Sequence, residues 1–258
     1  MHCSAITAVV SGAASGLGAA TARELAARGA TVVGIDLTGA LEHLGTPAGS
    51  ASSEGVRYVA ADVTDEAQLA AALDVASGIG PPLRVAVNCA GIARSGRILT
   101  KEGPHPLELF QQVVAVNLVG TFNVLRLAAQ RIAATPALQD GQRGVVVNTA
   151  SVAAFEGQVG QIAYAASKAG VAGMTICAAR DLARHGIRVV TIAPGIVDTP
   201  MLGSLNEEFR AGLAASVPFP ARLASPAEYA ELVAMIVEHD YLNGETIRMD
   251  GALRMAPR

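Results

Sequence analysis

Tryptophan is missing from this chain, and aromatic residues as a whole make up 3% of it. Proteins that grip single-stranded nucleic acid stack bases on aromatic side chains, so this scarcity argues against that class. A net charge of −3 likewise offers no basic footprint for DNA or RNA. Charged residues are sparse at 16% while hydrophobic ones reach 51%, a balance that excludes a disordered chain. The three cysteines, Cys3, Cys89 and Cys177, are odd in number and lack CxxC spacing. A disulfide framework or zinc centre is therefore disfavoured, and a reducing compartment is expected. The five histidines are scattered without ligand spacing, so no metal is expected. No apolar run reads as long enough to span a membrane. The first strand is expected by about Ile6, which leaves no room for a signal peptide ahead of it, and a soluble cytoplasmic protein is the expectation.

What the chain has in abundance is small residues. Twenty-seven glycines and many alanines suit close packing of helices on a sheet. A length of 258 residues fits one α/β domain with a substantial core. Short β-rich apolar runs near residues 5–10, 31–36, 56–61, 85–88, 144–149, 188–193 and 245–249 read as strands. Longer patterns near 16–28, 66–77, 106–133, 162–185 and 226–238 read as helices. The alternation predicts a single-domain, doubly wound parallel sheet with helices on both faces. Loops are expected at 38–55, 92–105 and 200–224, and the last two lie beyond carboxyl ends of strands, where ligands bind in open α/β sheets.

The chemistry concentrates in one stretch. Tyr164 and Lys168 stand four apart on a predicted helix, with Ser151 thirteen residues before the tyrosine. Positions i and i+4 share a helix face, so phenol and ammonium can meet in one pocket. A free tyrosine titrates near pH ~10 and is a poor base at neutrality. A fixed cation beside it favours the phenolate, and lowering the pKa by about three units needs about 4 kcal/mol. A lysine together with a pyridinium cofactor can supply that, while the Ser151 hydroxyl holds a substrate oxygen. These are the parts needed to move a proton on or off a carbinol oxygen as hydride leaves the carbon.

Cofactor signals precede it. The run Gly12-Ala13-Ala14-Ser15-Gly16-Leu17-Gly18 follows an apolar strand and opens a helix. Such glycines let backbone amides approach a pyrophosphate at a helix N-terminus, the dinucleotide arrangement of a Rossmann fold. Asp36 ends the second strand, where a carboxylate accepts hydrogen bonds from the adenosine ribose. Repulsion of a 2′-phosphate by about 4 kcal/mol at an effective dielectric of ~20 selects NAD over NADP. The plain alternative for Asp36 is a turn cap. Asp62-Val63 can touch the adenine, although Asp62 reads equally as a cap. Asn88-Cys89-Ala90-Gly91 ends the fourth strand with small residues, and Cys89 there reads as packing rather than a nucleophile.

The glycine turn, Asp36, Asp62-Val63, Asn88-Cys89-Ala90-Gly91, Asn117, Ser151, Tyr164, Lys168 and Pro194-Gly195 occur in one order and spacing. That pattern resembles the short-chain dehydrogenase/reductase family over essentially the whole chain. Ser11 stands where the family usually has threonine, and Cys89 replaces its second asparagine. Stretches 85–93, 120–124, 148–161, 217–223, 243–245 and 250–252 resemble, within that family, the 3-hydroxyacyl-CoA dehydrogenases. The resemblance implies NAD(H), a homotetramer, and interconversion of (S)-3-hydroxyacyl-CoA with 3-oxoacyl-CoA. It makes Tyr164 the general acid/base, Lys168 its pKa-lowering neighbour and ribose ligand, and Ser151 the group that orients the carbonyl. It also has Asn117 hold a water between Lys168 and solvent, and Val197 and Thr199 contact the nicotinamide carboxamide. Gln158 is a candidate for the substrate side, and Arg94, Arg97 and Lys101 for the phosphates of coenzyme A. The rival functions are a broad alcohol or hydroxysteroid dehydrogenase, an NADPH-dependent 3-oxoacyl thioester reductase, and an NAD-binding scaffold or redox sensor without turnover.

Overall fold

The computed structural model describes residues 1–45, 55–203 and 206–257. Parts of the expected loops 38–55 and 200–224, namely 46–54 and 204–205, lie outside the described residues. A 3-10 turn, Cys3–Ala5, leads into β1 (Thr7–Ser11), α1 (Gly16–Ala27) and β2 (Thr31–Asp36). Then come α2 (Thr38–His43), β3 (Val56–Ala60), α3 (Glu66–Gly78) and β4 (Leu83–Asn88). A small hairpin, β5 (Leu99–Thr100) with β6 (Gly103–Pro104), precedes α4 (Leu107–Val114), a π-helical turn (Ala115–Gly120) and α5 (Thr121–Ala133). The chain closes with β7 (Gly144–Thr149), α6 (Ile162–Ala183), β8 (Ile187–Pro194), α7 (Glu207–Ala215), α8 (Pro226–Glu238) and β9 (Thr246–Met249).

Seven strands form one sheet in the order β3-β2-β1-β4-β7-β8-β9, every adjacent pair parallel. The order reverses between β1 and β4, and ligands in such sheets sit at that switch point. Valine runs explain the strands. Val85-Ala86-Val87 and Val145-Val146-Val147 are buried on both faces, as parallel strands between two helix layers must be. Alternate residues serve alternate layers. Val10, Val87, Val147 and Ile192 pack with Leu25 of α1 and Tyr229, Val233 and Ile236 of α8. Val9, Ala86, Val146 and Val189 pack with Leu73 of α3, Val124 and Ile132 of α5, and Ala179 of α6.

The predicted architecture holds, with local corrections. The long helix expected over 106–133 contains the π turn, which places Asn117 in a widened coil. The three expected loops carry α2, the β5–β6 hairpin and α7. The expectation that no run could span a membrane also fails: Leu107–Ala133 and Ile162–Ala183 are long and apolar enough by length and composition. Unbroken apolar runs are absent, but an alanine-rich helix keeps a high average around scattered polar residues. In this fold one side of each helix packs on the sheet.

Helix α8 is fixed at both ends. Ser225 accepts a hydrogen bond from Glu228 N–H, Glu228 accepts from Ser225 N–H, and Pro226 opens the first turn. The Arg222 guanidinium, helped by the Ser225 N–H, holds the Glu228 carboxyl down to about 2. At the far end, buried Arg188 of β8 donates to the carbonyls of Ile236 and Val237. Ser225→Ala is expected to cost about 1 kcal/mol. In thermal melts that appears as a Tm drop of roughly 2–4 °C, and an unchanged Tm would contradict the cap.

Candidate active site

The predicted cofactor residues gather at the carboxyl edge of the sheet. Gly12 has φ of +69°, and a Cβ there would sit 2.7 Å from Ala90 N, so the turn after β1 lies directly on the end of β4. A Cβ on Gly18 would come 2.1 Å from the Gly12 carbonyl, so only glycine lets α1 approach its own leading turn. Ser15 is exposed at the start of α1, and Leu17 accepts a bond from Thr21 Oγ1. Ser11, the departure from the family's threonine, still offers a hydroxyl, which accepts from Ala90 N–H at 3.3 Å. Thr199 lies against the same turn, with its Cβ 3.5 Å from the place of a Gly16 side chain. Gly195 N–H donates to Met249, and Val197 is buried beside it.

The Asp36 carboxylate accepts from Ala14 N–H and from Leu37 N–H, each at 2.8 Å. It therefore caps a turn and fastens the glycine loop to β2. Asp62 accepts from the N–H and hydroxyl of Thr64 and serves as a turn cap. Val63 is buried, and its carbonyl accepts from Asn123 at 2.9 Å.

Ser151, Tyr164 and Lys168 converge beyond β7. Ser151 is the N-cap of a 3-10 turn (Val152–Ala154), and its Oγ accepts from Ala153 N–H at 3.1 Å. Its hydroxyl also reaches the Tyr164 phenol as a hydrogen-bond partner. Tyr164 and Lys168 share a face of α6, with the ammonium 5.8 Å from the ring centroid. Lys168 Nζ donates to the Thr149 carbonyl at 2.8 Å, which leaves two N–H donors for further partners. Burial pushes this ammonium down to about 8, against the opposing pull of Cys89. Burial also raises the Tyr164 phenol above its ordinary value, and the Ser151 hydroxyl works against that rise. In the cofactor-free protein burial is the larger cause and the phenol stands above its ordinary value; the lowering expected of the lysine together with a pyridinium cofactor belongs to the cofactor-bound state.

Two of the expected site residues make definite hydrogen bonds of their own. Asn117 is fully buried, its Oδ1 accepting from Ile92 N–H and its Nδ2 donating to the Ile92 carbonyl and Ser167 Oγ. Both amide protons are committed, so its side chain clamps the segment after β4 to α6, while Oδ1 keeps a second lone pair with which it can accept from a water. Gln158 donates to the Ala256 carbonyl at 2.9 Å and pairs with Gln161, which ties its amide to the C-terminal segment. Cys89 has its thiol raised by burial, as its packing role requires. Arg94, Arg97 and Lys101 are exposed around the β5–β6 hairpin. Sequence reasoning passed over Thr149, which carries the lysine's acceptor, and buried Tyr229, whose hydroxyl lies 2.7 Å from Thr149 Oγ1. The phenol sits inside an apolar helical pattern, and no local motif signals it.

The family model described as short chain dehydrogenase matches residues 6–210. The chain is 52% identical over 254 residues to 3-hydroxyacyl-CoA dehydrogenase type-2 of Bos taurus and to that of Homo sapiens. Each alignment covers 98% of this chain and 96% of the relative. The crystal structure of 3-hydroxyacyl-CoA dehydrogenase type-2 from Mycobacterium avium superposes with a TM-score of 0.89 at 44% identity, covering 98% of both chains.

The burial of Lys168 has a consequence for stability. Between about 8 and 10.5 the unfolded chain holds the lysine proton and the folded chain does not, so stability contributed at this site rises with pH across that window. The full increment is on the order of 3 kcal/mol. Urea unfolding of cofactor-free protein and of Lys168→Met at pH ~7.5 and ~9.5 isolates it. The gap between the two proteins should shift toward the native chain at the higher pH; a constant gap would contradict the burial argument.

Proposed function

The chain belongs to the short-chain dehydrogenase family, and on that footing we propose that it interconverts (S)-3-hydroxyacyl-CoA and 3-oxoacyl-CoA with NAD as its cofactor. As a member it is an oxidoreductase that uses a nicotinamide cofactor and a small-molecule substrate. The observation that carries the reading is a phenol, a buried ammonium and a serine hydroxyl paired with that phenol at one strand edge, beside the glycine turn. The choice of acyl thioester follows the activity named for its relatives.

The residues fit a dinucleotide. Gly12, Ser15, Gly16, Leu17 and Gly18 form the open turn, Asp36 faces the ribose position, and Asp62, Val63, Cys89, Ala90 and Gly91 line the next strand ends. Pro194, Gly195, Val197 and Thr199 close the far side. When bound, the nicotinamide ring supplies or accepts the hydride. Tyr164 takes the hydroxyl proton during oxidation and returns it to the carbonyl oxygen during reduction. Ser151 donates to that same oxygen and fixes its distance from the phenol. Lys168 keeps donors for the ribose while anchored on Thr149. Asn117 acts at one remove, by holding Ile92 against α6.

Three further features support the same reading. Exposed Arg94, Arg97 and Lys101 stand near the hairpin as candidates for the coenzyme A phosphates. Leu107, Val119, Phe122, Ile162 and Ile176 are exposed apolar residues on the two long helices, a suitable contact face for a homotetramer. Free Cys3, Cys89 and Cys177 suit a reducing cytoplasm.

NADH oxidation with acetoacetyl-CoA, set beside a ketosteroid and a simple ketone, tests the function. The thioester is expected to be reduced most efficiently, and a higher kcat/KM for the ketosteroid would favour the hydroxysteroid alternative. Tyr164→Phe should lower kcat by at least about 10³ while NADH affinity stays within roughly threefold; parallel loss of both would contradict its role. Asp36→Asn removes the charge and keeps one oxygen acceptor, enough for Ala14 N–H or Leu37 N–H but not both, since they bond to different carboxylate oxygens. The NAD over NADP preference is expected to fall by roughly 10- to 1,000-fold, and an unaltered preference would sink the electrostatic argument.

A further inference from the structure

Tyr229 lies in the first turns of α8 and has no solvent exposure, yet it carries a hydroxyl. A buried hydroxyl needs partners, and here they define a direction. Thr149 Oγ1 donates to the Asn88 carbonyl at 2.5 Å and stands 2.7 Å from the Tyr229 oxygen. A threonine hydroxyl has one proton. With that proton on Asn88, Tyr229 must donate and Thr149 accept in the second contact. The Cys89 thiol in turn donates to the Tyr229 oxygen at 3.8 Å. The protons run from Cys89 to Tyr229, to Thr149, to the carbonyl of Asn88, the residue before Cys89. This closed ring ties the ends of β4 and β7 to α8.

Both sides of the ring meet Lys168. The Thr149 carbonyl accepts from its ammonium at 2.8 Å. Gly91 is two residues beyond Cys89, and a Cβ there would lie 3.7 Å from Lys168 Nζ. Phenylalanine would fill the core equally well, but it would strip Thr149 Oγ1 of its donor and leave Cys89 with Thr149 Oγ1, also 3.8 Å from its sulfur, in place of Tyr229.

We propose that Tyr229 is a positioning residue, which through Thr149 fixes the carbonyl that holds Lys168 and through Cys89 fixes the small-residue turn facing it. The consequence for turnover rests on the role of Lys168 in the dehydrogenase reading above; the placement of the ammonium does not.

The sequence contains two lysines, exposed Lys101 and buried Lys168, so lysine-selective isotope labelling gives two NMR titrations that burial alone tells apart. In the cofactor-free protein Lys168 titrates near 8. Tyr229→Phe should loosen the Thr149 carbonyl, disfavour the charged amine and lower that value by about half a unit or more. Thr149→Val attacks the same bond from the other side and should move it in the same direction. If Tyr229→Phe does not fold, Thr149→Val carries the test. The double variant should shift no further than the larger single change. With acetoacetyl-CoA, Tyr229→Phe should lower kcat roughly tenfold with KM within about twofold. An unmoved Lys168 titration in a folded Tyr229→Phe protein, even one with a lower Tm, makes Tyr229 a core filler and overturns the proposal. If the native protein fails to turn over acetoacetyl-CoA while the titration moves as stated, the dehydrogenase reading falls and the positioning role stands.

Discussion

One ammonium, buried and held by one backbone carbonyl, sets the terms for the rest of the site. Lys168 donates to Thr149 and is otherwise surrounded by small residues and the Tyr164 ring. Water is largely excluded there, so each missing partner weighs more than it would on the surface. The lysine is pressed toward its neutral form and the phenol toward its protonated form. The ammonium stays mostly charged at neutral pH while the phenol stays protonated, and a cationic ring placed in the same pocket would tip the phenol, since the phenolate is the form that such a ring favours.

The fold supplies this arrangement through its ordinary rules. A doubly wound sheet reverses its order between β1 and β4, which leaves the glycine turn, the Cys89–Gly91 turn and the end of β7 side by side. Each is fastened to the next by a short polar contact: Asp36 to Ala14, Ser11 to Ala90, Asn88 to Asn148, Asn117 to Ile92 and Ser167. The π turn in the long helix is what carries Asn117 inward to make its clamp. Catalytic precision of this kind depends on such supporting contacts as much as on the reacting groups.

The positions of the seven main strands were readable because valine-rich runs and glycine breaks dominate the local pattern. So were Tyr164, Lys168 and the glycine turn, since spacing on a helix or after a strand dictates where their side chains fall. Asp36 was legible as a carboxylate at a strand end, but its grip on Ala14 was not, because that contact spans two elements. Asn117 and Gln158 show the same limit more sharply. Position placed both near the pocket but gave no sign of their hydrogen bonds to Ile92 and Ala256, which join distant segments. Thr149 and Tyr229 gave no signal, because their bond joins residues eighty positions apart. The π turn escaped because its sequence is an unremarkable helical one.

An ultraviolet difference titration of the tyrosinate band, native protein minus Tyr164→Phe, with and without saturating NAD, tests the central claim most directly. Without cofactor, Tyr164 should ionise above the ordinary value of about 10, and with NAD present its apparent pKa should fall by at least about one unit. A phenol that already ionises well below the ordinary value in the free protein, or one that NAD leaves unmoved, would contradict the account.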